Sequence, residues 1–71
     1  MKILNINRVE TFDEVMKNVD NGTLICKDKS VYLFNELKVP IFHDSFATNV
    51  EATSFANRMH YRYGKKLSGG Q

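Results

Sequence analysis

The twenty residues from Thr23 to Phe42, TLICKDKSVYLFNELKVPIF, set the tightest limit on what this chain can become. β-Branched and aromatic residues crowd the stretch, and a polar break at Asp28-Lys29-Ser30 divides it. A turn at Asp28-Lys29 makes a hairpin in which Cys26 faces Val31 and Leu24 faces Leu33. Strand side chains alternate with a period of two, so these four share one face of the sheet. Ile25, Tyr32 and Phe34 then share the other, with Lys27 and Ser30 near the tip. Both faces are partly apolar, so something must cover each of them.

The flanking segments supply candidates. Lys2–Asn7, KILNIN, is expected to be a first strand, with Leu4 and Ile6 on one side and Ile3 on the other. Thr11-Phe12-Asp13-Glu14 has the capping-box pattern, in which the Thr hydroxyl and the Glu carboxylate satisfy N–H groups at a helix start. Asp13 and Glu14 also suit the positive end of a helix dipole. Phe12, Val15, Met16 and Val19 recur at helical spacing, and Gly22 is expected to end that helix in a left-handed C-cap.

After the hairpin, Val39-Pro40-Ile41-Phe42 forms a third strand. Pro40 lacks an N–H for the ladder, so that strand should lie at an edge or be irregular. His43-Asp44-Ser45-Phe46-Ala47 is expected to be a connector. Thr48-Asn49-Val50-Glu51 repeats the capping box, opening a helix from Asn49 to about Tyr63 with Gly64 beyond its end. Ala52, Phe55, Ala56, Met59 and Tyr63 form its apolar stripe. The expectation is an α+β fold of order β-α-β-β-(β)-α, an antiparallel central hairpin covered by two short helices. Residues 1–64 form one domain and residues 65–71 a flexible tail.

Seventy-one residues is near the lower limit for folding unaided, and oligomerisation is a common remedy at this size. Cys26 is the only cysteine, so no internal disulfide can form. Mid-strand among apolar neighbours, it is expected to be a small buried hydrophobe. The N-terminus lacks the apolar run of a secretory signal and nothing approaches a membrane span, which points to a soluble cytoplasmic protein. Asn21-Gly22-Thr23 fits the glycosylation pattern but without such a signal is expected to be a turn.

Charge is distributed unevenly. Residues 1–57 hold six Lys/Arg and all eight acids, net −2, whereas residues 58–71 hold Arg58, Arg62, Lys65 and Lys66 with no acid, net +4. On the second helix, Ser54, Arg58, Tyr61, Arg62 and Lys65 fall opposite the apolar stripe, with His60 at their flank. Cations there could neutralise phosphates while Tyr61 stacks on a base. Equally, cations at a helix C-terminus complement its dipole and need no ligand.

No set of residues announces catalysis. His43-Asp44-Ser45 are sequence neighbours on a connector, whereas a catalytic triad is assembled by the fold. Asp44 and Ser45 are expected to serve as turn or capping residues. Cys26, His43, His60 and the carboxylates lack metal-ligand spacing. The last five residues, Leu67-Ser68-Gly69-Gly70-Gln71, spell the signature of ABC-transporter ATPases, in which that segment opens a helix and contacts nucleotide phosphates. The resemblance is confined to those five letters. No G-x-x-x-x-G-K-S/T loop accompanies it, and the segment is expected to be a glycine-rich tail.

The function expected is therefore a small non-enzymatic interaction module. It would be a regulator, inhibitor or adaptor of the kind found among phage and mobile-element proteins. It would act through Ile25, Tyr32 and Phe34 and be homodimeric, with no cofactor, metal or small-molecule substrate. The alternative is nucleic-acid binding through Arg58, Tyr61, Arg62, Lys65 and Lys66. The net charge of +2 argues against an acidic mimic of DNA.

Overall fold

The hairpin forms as its sequence requires. In a computed structural model that describes residues 5–68 (side chains 9–68), β1 (Gly22–Lys27) and β2 (Ser30–Phe34) pair antiparallel across Asp28-Lys29. Leu24 lies opposite Leu33 and Cys26 opposite Val31. Asp28 takes a φ of 60°, a left-handed conformation that Asp tolerates better than most residues. β3 (Pro40–Ser45) pairs antiparallel with β2, and the two-residue β4 (Leu67–Ser68) pairs parallel with β1. The sheet order is β3-β2-β1-β4, which puts the proline-bearing strand at an edge, as expected.

Two helices accompany the sheet: α1 (Asn5–Met16) and α2 (Asn49–Arg62). The α2 boundaries follow their sequence signals. Thr48 is the N-cap, its hydroxyl accepting from the Glu51 N–H at 3.2 Å, and Tyr63 is the C-cap. The Glu51 carboxylate reaches one residue further back than the standard box, accepting from the Ala47 N–H at 3.3 Å.

α1 departs from expectation at both ends. Asn5–Asn7, expected in a first strand, already belong to α1, while Lys2–Leu4 lie outside the described residues. A six-residue alternation is too short to overrule the helical spacing that continues backward from Phe12 to Val9, which packs against the core. Thr11 is consequently inside the helix and caps nothing. After Met16 the chain tightens through bonds from Asn18 N–H to the Val15 carbonyl and from Val19 N–H to the Met16 carbonyl. Gly22 then opens β1 instead of acting as a left-handed C-cap. A Cβ built there would lie 3.1 Å from Leu33 Cδ1 and 3.2 Å from both Val19 Cγ1 and the Phe34 carbonyl. The glycine is needed for space.

Both helices pack on one face of the sheet, so among the described residues neither covers the side that carries Ile25, Tyr32 and Phe34. Phe12, Met16 and Val19 from α1 and its following turn meet Leu24, Val31, Leu33 and Phe42 from the strands and Ala52, Phe55, Ala56 and Met59 from α2. The helices meet each other as well as the sheet. Phe12 stands edge-on to Phe42 at 5.1 Å and to Phe55 at 5.8 Å, and contacts Tyr63 at 5.6 Å. Such edge-to-face pairs add roughly 0.5–1.5 kcal/mol each beyond area burial. One core thus consumes both apolar stripes.

The segment after Gly64 is also corrected. Lys66 donates from Nζ to the Met16 carbonyl at 2.8 Å, supplying a cation to the C-terminus of α1. Its own carbonyl accepts from the Gly22 N–H, and Leu67 is buried in the core. Leu67 is the only large apolar residue after Tyr63, and a single apolar letter gives no periodicity to read. Gly69–Gln71, the rest of the expected tail, lie outside the described residues.

Candidate functional site: the open face of the sheet

With both helices on one side, the reverse of the sheet is left without a cover among the described residues. Ile25, Tyr32 and Phe34 share this side, as the hairpin register dictates. Ile25 is 42% exposed, and the two aromatic residues are half-buried by their neighbours. β3 adds two members: its register sets His43 beside Tyr32 and Pro40 beside Phe34. The His43 and Tyr32 rings stack nearly parallel, centroids 4.7 Å apart and planes 13° apart. Phe34 lies 6.4 Å beyond Tyr32. An aromatic row therefore crosses two strands, flanked by Ile25. At the hairpin end Lys27, Ser30 and Ser45 are polar, with the serine hydroxyls 3.3 Å apart. None of the eight acids occupies an outward strand position on this face.

His43 lies one residue beyond the third strand expected from the sequence, Val39–Phe42, and Pro40, though inside that strand, carries no alternation that assigns it to a face. The structure makes His43, Asp44 and Ser45 part of the strand and not a connector. The missed signal was the alternation of Phe42 inward and His43 outward. Strand geometry also separates the trio chemically: consecutive side chains point to opposite faces, so Asp44 is not aimed at His43. Asp44 instead accepts from the Ser45 N–H at 2.8 Å.

Cys26 keeps its predicted register but not its predicted burial. It is exposed, with Sγ 3.9 Å from Thr53 Oγ1 on α2. β4 pairs only with Gly22 and Thr23, so this half of β1 has no strand on its far side among the described residues, whereas Val31 is flanked by strands on both sides.

The basic patch on α2 is partly committed to the fold. Arg62 pairs with Asp13 at 3.3 Å and sits over the Tyr63 ring at 5.7 Å, and Lys66 is bound to the Met16 carbonyl. Arg58, Lys65 and Tyr61 are exposed, Tyr61 almost completely at 94%. Ser54 and Arg58 border a shallow groove of about 300 Å³ with Val9, Phe46 and Val50. Among the described residues no three His, Cys, Asp or Glu side chains are grouped closely enough to hold a metal ion, and no helix is long and apolar enough to cross a membrane.

No protein-family model, curated protein or solved structure matches this chain. The site must be judged on its own chemistry.

Proposed function

We propose that this protein is a small homodimeric interaction module, a regulator, inhibitor or adaptor without enzymatic activity, that receives a partner protein on the open face of its sheet. The observation that carries the reading is the aromatic row of Phe34, Tyr32 and His43 beside exposed Ile25, on the side of the sheet that neither helix touches. A contiguous apolar face on a small domain is a typical docking surface, and aromatic residues dominate the binding energy of such surfaces. Its lack of acids favours a partner segment that is apolar or acidic over a basic one.

The test is site-specific photocrosslinking in the source cell, with the crosslinking side chain at Tyr32 and, for comparison, at Tyr61. The expected result is a discrete adduct from position 32 that disappears when Phe34→Glu is added. Equal adducts from both positions, or none from position 32, would refute the sheet face.

A second reading is phosphate contact by Arg58 and Lys65 with Tyr61 as a stacking platform, favoured by the near-complete exposure of that tyrosine. Two uncommitted cations make a small footprint, so such binding would be weak and steeply salt-dependent. Titration with single- and double-stranded DNA and RNA at two salt concentrations decides it, with Arg58→Ala plus Lys65→Ala as the control.

A further inference from the structure

The loop between β2 and β3 is unusually well built for a short connection. Asn35 Oδ1 accepts from the Leu37 and Val39 N–H groups at 2.9 and 3.0 Å. The Asn35 N–H donates to the Val39 carbonyl at 2.9 Å, and the Lys38 N–H donates to the Asn35 carbonyl at 2.9 Å. Lys38 is held at a φ of 66° to complete the turn. What this clamp displays is Leu37, at 76% the most exposed large aliphatic residue in the described chain. A fixed loop that carries an apolar side chain into solvent has already met most of the ordering cost of binding.

Beside the same loop lies a groove of about 390 Å³, bordered by Val15, Val19 and Ile41 as well as by Asn35, Glu36 and Leu37. A protruding leucine and a groove of mixed lining, with Val15, Val19 and Ile41 as its apolar part and Asn18, Asn35 and Glu36 as its polar part, therefore share one patch. That is what a two-fold symmetric contact demands, because each copy must supply both halves. The charges agree with this symmetry. Leu37 is flanked by Glu36 and Lys38, and across a two-fold axis the loop meets itself reversed, placing Glu36 opposite the second copy's Lys38.

We propose that two copies of this chain pair through the β2–β3 loop, the Leu37 of each seated in the other's groove between α1 and β3, with Glu36 and Lys38 exchanging charge across the axis. This rests on the dimer proposed above and assigns its contact, leaving both open sheet faces available to a partner protein. Only one loop and one groove per copy are engaged, which implies a weak and reversible dimer.

The experiment is sedimentation equilibrium from about 1 µM to about 1 mM. Leu37→Asp should weaken dimerisation by about 100- to 10,000-fold, because each dimer loses two buried leucines at about 10- to 100-fold apiece. Circular dichroism melts should stay unchanged, since the side chain touches little within its own chain. Glu36→Lys and Lys38→Glu should each weaken self-association when alone, and an equimolar mixture of the two variants should restore it as a heterodimer. Phe34→Glu, on the sheet face, should leave the dimer intact. A parent chain monomeric at about 1 mM would overturn both the dimer and this contact. A dimer indifferent to Leu37→Asp, or broken by Phe34→Glu instead, would overturn the contact while leaving dimerisation standing.

Discussion

Arg62 near the end of α2 reaches Asp13 of α1, Nη2 to Oδ2 at 3.3 Å, and ties together two helices separated in sequence by β1, β2 and β3. Among the described residues the other Asp13 oxygen is buried without a hydrogen-bond partner, and Arg62 is the carboxylate's ion-pair contact. Arg62→Ala should lower stability by about 0.5–1 kcal/mol, a modest figure because the guanidinium is half exposed and screened by solvent. Thermal melts at low and high salt check this: the difference from the parent should shrink as salt rises. A loss unaffected by salt would mean that Arg62 matters through its stem packing on Tyr63.

Leu24 and Ile25 are adjacent in β1 and point to opposite sides. Leu24→Ala should cost about 2–5 kcal/mol in urea unfolding, the usual range for a truncated core leucine. Ile25→Lys should change stability by less than about 0.5 kcal/mol, since a lysine stem can lie along an open sheet face. Comparable losses from both would mean that the reverse face is covered in solution.

Gly22→Ala places a methyl group against Leu33, Val19 and the Phe34 carbonyl, all within 3.2 Å. Two of these neighbours belong to the packed core and one is backbone, so none can yield freely. The expected cost is about 1–3 kcal/mol by denaturant unfolding. Full tolerance would show that the turn from α1 into β1 is looser than its contacts imply.

Leu67→Ala should destabilise the protein by about 2–4 kcal/mol, and a chain ending at Gly64 should fall further still. The shorter chain also loses the Lys66 cap on α1 and the β4 pairing. Urea titrations of both variants make the comparison. Parent-like stability in the shorter chain would return residues 65–68 to the status of a loose tail.

Cys26 is exposed, so its thiol should react with a disulfide reagent in the native protein without added denaturant. Cys26→Ser should cost less than about 0.5 kcal/mol. Reaction only after denaturant is added would mean that the hairpin tip is shielded, by α2 or by a second chain.

Legibility in the sequence followed the range over which each signal is written. The register of Leu24, Cys26, Val31 and Leu33 was readable because a two-residue turn and a period of two fix it within the ten residues from Leu24 to Leu33. The α2 helix was readable because its N-cap, stripe and terminal glycine agree. Cys26 shows where this stops: register gives a direction, but burial depends on how far the helices and neighbouring strands extend. Which side of the sheet the helices choose is not encoded locally in either stripe. It is settled by Phe12 meeting Phe42 and Phe55, a contact among residues up to 43 positions apart. The open face at Ile25, Tyr32 and Phe34 could therefore be named from the sequence, while His43 and Leu37 became visible only in three dimensions.

Leu67 closes the core beside β1, while Gly22 and α1, against which its segment is anchored, lie more than forty residues earlier. A nascent chain that has emerged only as far as Tyr63 thus has a hydrophobic interior with one wall missing. Because that last wall is joined to the first helix by a lysine and to the first strand by a two-residue pairing, folding must wait for nearly the whole described chain. Until then the exposed strands are open to pairing with other chains.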